Sequence, residues 1–187
     1  NKLINLKSKS IIGTSSFRRE FQIKRLKEDI KCKLIRGNVD TRIKKLKEGY
    51  YDAIILSLAG IKSLQLEKEI TQTFLIEEII PSAGQGIIAL QSRENDDEII
   101  SILNKINHLE TNFQAQAERS ILKILEGDCE TAVGAHAKID GKKITLSAEL
   151  FSLDGTKRFY EKNSADIKDS EKLGKELGKI LKEKSNN

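Results

Sequence analysis

Ser10-Ile11-Ile12-Gly13-Thr14-Ser15-Ser16-Phe17-Arg18-Arg19 changes its period within ten residues. The apolar run over 10–13 reads as a short strand and stops at Gly-Thr-Ser-Ser. From Phe17 to Lys27 the apolar positions Phe17, Phe21, Ile23 and Leu26 fall near helical spacing. The same alternation then repeats. Cys32 to Ile35 predicts a second strand, ended by Arg36-Gly37-Asn38, and Val39 to Glu48 places Val39, Ile43 and Leu46 on one helical face. Tyr51 to Leu58 is a continuous apolar stretch of the kind buried on both faces of a parallel sheet, and Ala59-Gly60 opens a helix through Leu66. This βαβαβ rhythm predicts a three-layer α/β domain with a mostly parallel sheet over 1–80.

The second half reads differently. Pro81-Ser82-Ala83-Gly84-Gln85-Gly86 holds the single proline and two closely spaced glycines, which predicts a hinge or crossover over 81–107. A short strand is expected at Ile87 to Leu90, and helices at Ile99 to Ile106 and Glu110 to Leu125. Thr131 to Ile139, Ile144 to Phe151 and Lys157 to Asn163 read as three strands joined through Asp140-Gly141 and Asp154-Gly155, an antiparallel meander. An amphipathic helix from Asp166 to Glu183 closes the chain despite Gly174 and Gly178. A small α+β domain is therefore expected over 108–187.

The 187 residues carry 33 basic and 28 acidic side chains, a net charge of +5, with 38% hydrophobic and 5% aromatic residues. Dense basic patches interleaved with aromatics, the usual mark of a nucleic-acid binder, are missing. No run approaches the length of a membrane span, and no secretory leader is visible. Cys32 and Cys129 fit no zinc or disulfide-framework spacing, which favours a reducing, cytoplasmic setting. His108 and His136 have no metal-ligand spacing, so no metal is expected. An initial Asn and the absence of Met suggest a fragment or processed piece.

Arginine is distributed unevenly. Five of the eight arginines, Arg18, Arg19, Arg25, Arg36 and Arg42, fall between positions 18 and 42. Gly13-Thr14-Ser15-Ser16 precedes a helix start, where unsatisfied N–H groups and the positive dipole end attract anions. A plain Ser cap with solvated arginines also accounts for that motif taken alone. Arg36-Gly37-Asn38, Arg42 and Ala59-Gly60 follow strand ends on the edge where open α/β sheets bind ligands. Arg18, Arg19, Arg36 and Arg42 together predict a cleft for a polycarboxylate or polyphosphate. Cys129 lies in a turn between a helix and a strand. A buried thiol and a covalent attachment point both suit it, and the flanking Asp128 and Glu130 disfavour a thiolate.

In order along the chain, Gly13-Thr14-Ser15-Ser16-x-Arg18-Arg19, Arg36-Gly37-Asn38-x-x-Thr41-Arg42 and Tyr51-Asp52-Ala53-Ile54-Ile55-Leu56 resemble the porphobilinogen deaminase (hydroxymethylbilane synthase) family. Ala59-Gly60-Ile61-Lys62, Pro81-x-x-Gly84-Gln85-Gly86 and Leu125-Glu126-Gly127-x-Cys129 extend the match. The resemblance implies a three-domain cytoplasmic transferase of haem and tetrapyrrole biosynthesis, with a lobe like those of periplasmic binding proteins. It would act as a monomer on porphobilinogen and a growing polypyrrole chain, with neither nucleic acid nor membrane as partner. It would join four porphobilinogen molecules into hydroxymethylbilane, releasing ammonia. A dipyrromethane cofactor would hang by a thioether from Cys129. Arg18, Arg19, Arg36 and Arg42 would pair with its acetate and propionate groups, with Thr14, Ser16, Asn38 and Gln85 nearby.

The catalytic aspartate of the family is expected in an N-terminal domain that this chain largely lacks, so no residue here takes a catalytic role and no turnover is expected of the chain alone. Ser63 stands where the family usually has an arginine. Asp128 precedes Cys129 where a glycine is common. The competing readings are a non-enzymatic two-lobe module binding anions or solutes, which has no use for Cys129, and a basic RNA-associated protein.

Overall fold

A computed structural model describes residues 2–125 and 132–186. The chain divides into two compact units: residues 2–79, 132 and 151–157 in the first, and 80–125, 133–150 and 158–186 in the second.

The first unit is built on a parallel three-stranded sheet. Strand β1 (Ile11–Gly13) lies between β2 (Lys31–Lys33) and β3 (Ala53–Ile54), with Ile12 opposite both Cys32 and Ala53. Helix α1 (Phe17–Leu26) connects β1 to β2, α2 (Val39–Lys47) connects β2 to β3, and α3 (Leu58–Ser63) follows β3. Leu3, Ile12, Ile23 and Ile30 form the core, with Leu26, Ala53, Ile55 and Phe74 packed around them. Glu20 at the start of α1 and Lys24 one turn later form an ion pair of 2.6 Å, suited to the helix dipole.

The third strand is shorter than the apolar run 51–58 predicts, and it is only half-buried. A strand extends only as far as its neighbour. β1 ends at Gly13, whose carbonyl accepts the Ile55 N–H at 3.2 Å, and Ser57 then caps α3.

The second unit carries an antiparallel sheet in the order β4 (Val133–Asp140), β5 (Lys143–Phe151), β6 (Arg158–Asp166). Helices α4 (Asp97–Ile106) and α5 (Leu109–Leu125) precede it, and α6 (Ser170–Asn186) follows after a 3₁₀ turn at Ile167–Asp169. Period-2 alternation points Val133, Ala135 and Ala137 of β4 and Ile144, Leu146, Ala148 and Leu150 of β5 into one core. They meet Ala117 and Ile121 of α5 and Leu173, Leu177 and Leu181 of α6. The hairpin is offset by one residue from the expected Asp-Gly turn. Asp140 still pairs with Lys143, and the two-residue loop is Gly141-Lys142, with Gly141 at φ +57°.

Ile87 to Leu90 does not form the expected strand. No strand lies beside it among the described residues to take its N–H and C=O groups, and Ile88 is 88% exposed. No helix among the described residues is long and apolar enough to cross a membrane.

Candidate functional site

In the first unit the carboxyl ends of all three strands feed directly into helix starts. Each start is capped by a side chain: Ser16 Oγ accepts the Arg19 N–H at 3.4 Å, Asn38 Oδ1 the Thr41 N–H at 2.9 Å, and Ser57 Oγ the Gly60 N–H at 3.3 Å. The parallel sheet therefore gathers three positive helix ends on one edge. Thr14 is buried, and its Oγ1 accepts the Ser16 N–H at 3.2 Å, which fixes the loop between β1 and α1.

Gly37 makes the second loop possible. At φ +121° it occupies a region that disfavours side chains, and a Cβ there would come within 2.8 Å of the Thr41 side chain. The freed Gly37 carbonyl accepts from Arg42 Nε at 2.7 Å, which holds that guanidinium against the loop. Arg19 Nη1 donates to the Ile55 carbonyl, just past β3, at 3.2 Å. These anchors hold Arg19 and Arg42 on the same edge of the sheet. Burial first, and then the positive charge of Arg42, lower the Arg19 pKa below the ordinary arginine value. Two like charges held among three helix N-termini create a field that a multiply charged anion relieves.

The other expected arginines are placed differently. Arg18 is buried, and Arg36 is exposed in the loop after β2, where its carbonyl accepts from Lys45 Nζ at 3.0 Å. Arg25 sits exposed in the last turn of α1, about 9 Å further along the axis than Arg19. Gln85 belongs to the second unit, where its side-chain oxygen accepts from Ser82 Oγ at 3.4 Å. Cys129, Asp128 and Glu130 lie outside the described residues. Ser63 folds back to donate to the Ala59 carbonyl at 2.9 Å, a local bond inside α3. Cys32 is half-buried in the first core, and burial pushes its thiol up to about 11, which suits packing and not reactivity.

Sequence reading overlooked Ser57. Its signal was available, since a serine directly after an apolar strand and before Leu-Ala-Gly matches a cap. The caps also give a direct test of the local fold. Asn38→Ala removes the bonds to Thr41 N and Thr41 Oγ1, and is expected to lower stability by about 1 kcal/mol in urea denaturation. An unchanged midpoint would show that the cap contributes nothing there.

Residues 1–101 match the family model described as "Porphobilinogen deaminase, dipyromethane cofactor binding domain", and residues 112–183 match "Porphobilinogen deaminase, C-terminal domain". Among curated proteins, the porphobilinogen deaminase of Nitrobacter hamburgensis is 38% identical over 183 residues, covering 98% of this chain and 58% of the relative. That of Blochmanniella pennsylvanica is 41% identical over 165 residues, covering 88% of this chain and 55% of the relative. That of Francisella tularensis subsp. novicida is 40% identical over 181 residues, with 97% and 60% covered. The chain thus spans somewhat over half the length of these relatives.

Proposed function

The chain belongs to the porphobilinogen deaminase family, and from that premise we propose that it is part of a hydroxymethylbilane synthase, a transferase of tetrapyrrole biosynthesis. The reaction condenses four porphobilinogen molecules head to tail and releases ammonia at each addition. The observation that carries the reading is that Arg19 and Arg42 are each tethered to a loop carbonyl, of Ile55 and of Gly37, on the sheet edge where α1 and α2 start. A pyrrole chain bearing acetate and propionate groups supplies the matching negative charge. A neutral solute would leave the repulsion between the two arginines in place.

In this reading Arg18, Arg19, Arg36 and Arg42 pair with carboxylates. Ser16 and Asn38 hold the loops in shape through their caps, and Thr14 braces the first loop. The dipyrromethane, once attached through Cys129, supplies the primer that the pyrrole units extend. Catalytic proton handling is assigned to no residue of this chain.

Residues 1–80 correspond in this reading to a lobe like those of periplasmic binding proteins, 108–187 to the third domain, and 81–107 to a crossover that completes the family's first domain. The apolar side chains that 81–107 presents support it: Ile88, Leu90, Ile99, Ile102 and Ile106 are all exposed. A cytoplasmic monomer is the expected working form.

The test is the intact mass of the purified chain, beside Cys129→Ser. The expected result is a gain of two linked pyrrole rings in the unsubstituted chain and none in the variant. An adduct that survives the substitution overturns the role given to Cys129.

A further inference from the structure

Tyr51 is half-buried and stands just before β3, yet its side chain reaches the far strand of the first sheet. In that sheet Gly13 lies opposite Lys33 on one side and Ile54 on the other. The Tyr51 ring passes over Gly13: a Cβ at that glycine would lie 3.0 Å from Tyr51 Cδ1 and 3.2 Å from Cε1. Its hydroxyl then donates to the carbonyl of Leu34, the residue after β2, at 2.8 Å. One side chain thus crosses from the start of β3, over the end of β1, to the end of β2. Glycine at position 13 leaves room for that crossing.

The loop that Tyr51 reaches is the one that anchors Arg42. Three of its carbonyls accept from side chains: Leu34 from Tyr51, Arg36 from Lys45 Nζ at 3.0 Å, and Gly37 from Arg42 Nε at 2.7 Å. Lys45 and Arg42 belong to α2, the helix that this loop opens, and Asn38 caps the same helix. Those bonds join the loop to α2 as one body and do not fix where that body sits on the sheet. The Tyr51 bond does, because it comes from the approach to β3. Arg19 is anchored at the other end of β3, on the Ile55 carbonyl. Tyr51 and Arg19 therefore tie two neighbouring loops to the same strand.

We propose that Tyr51 is a positioning residue of the anion site on this edge. By holding the Leu34 carbonyl, its hydroxyl fixes the loop and Arg42 at the spacing from Arg19 that a polyanion bridges. The inference rests on the ligand reading given above, and adds to it a residue that acts through the loop and not on the ligand. Phenylalanine cannot replace Tyr51, because the ring would still cover Gly13 while the Leu34 carbonyl lost its donor.

The experiment combines amide hydrogen exchange with a double-mutant cycle on the full chain. Tyr51→Phe keeps the ring and loses the tether, and Tyr50→Phe, on the neighbouring exposed tyrosine, is the control. The Thr14 N–H is bonded to the Lys33 carbonyl at 3.0 Å, beside Leu34. It is expected to exchange faster in Tyr51→Phe, while Ile23 in the core keeps its protection. For a free dipyrromethane carrying acetate and propionate groups, Tyr51→Phe is expected to raise Kd about three- to tenfold, the scale of one hydrogen bond. Tyr50→Phe is expected to leave Kd unchanged. In an Arg42→Ala background the Tyr51→Phe effect is expected to vanish. An unchanged Kd or unchanged exchange at Thr14 overturns the proposal. So does a Kd effect that persists in full without Arg42, which marks a general structural loss. Failure of the unsubstituted chain to bind the probe overturns the ligand reading itself, and is seen before any variant is compared. Exchange at Thr14 then still decides whether Tyr51 holds the loop.

Discussion

Replacing Arg19 and Arg42 together by alanine is expected to weaken binding of a free dipyrromethane polycarboxylate by about 100-fold or more. A hydrogen bond to a charged group contributes about 1.5–3 kcal/mol, so two such contacts account for about 3 kcal/mol at the low end. The contacts are directional as well as charged. Arg42 is held by the Gly37 carbonyl and Arg19 by the Ile55 carbonyl, so each fork is oriented before a ligand arrives. Lysine at both positions keeps the charge and loses the fork, and is expected to recover only part of the affinity. Arg25→Ala is the control: it removes one positive charge from the far end of α1 and is expected to change Kd by less than about twofold, since exposed charges at that range are screened. Isothermal titration at two salt concentrations reads all four proteins. A loss in log Kd for Arg25→Ala about half that of the double variant would mean that net charge, and not this edge, governs binding.

Parts of this site are legible in sequence because they depend on neighbours along the chain. The strand before Gly13, the Ser16 cap and the helix from Phe17 are set by a change of period and by a cap residue, both local properties. The clustering of arginines between 18 and 42 is visible too, yet it overstates the site, since Arg25 lies on the wrong turn of α1. Ile87 to Leu90 shows where local reading fails. An apolar run has the same pattern whether or not a strand lies beside it, and only tertiary structure supplies the partner. Tyr51 is hidden for a related reason. It opens an apolar run, and nothing in that run marks a hydroxyl that reaches the Leu34 carbonyl, 17 residues away at the end of another strand.

Gly174→Leu is expected to destabilise the second unit by about 3 kcal/mol or more, against the usual sense of a glycine replacement inside a helix. On propensity alone, leaving glycine within α6 should stabilise by somewhat under 1 kcal/mol. Here α5 and α6 approach so closely that a Cβ at Gly174 would lie 2.2 Å from the Ala117 carbonyl oxygen and 2.7 Å from Ser120 Cβ. A backbone carbonyl cannot rotate away as a side chain can. The helices must separate, which opens the contacts of Leu173 and Leu177 with Ile121 and the sheet. Gly178→Ala is milder than Gly174→Leu because it adds a single carbon, which would meet Ile124 Cβ at 2.8 Å, so a smaller separation of the helices relieves it. Lys175→Ala, on the exposed face with a solvent-facing partner in Glu171, is expected to stay within about 0.5 kcal/mol of the unsubstituted chain. Urea denaturation followed by far-ultraviolet circular dichroism ranks the three. A more stable Gly174→Leu would mean that the two glycines are mere breaks in α6, and that the close approach of α5 and α6 does not hold in solution.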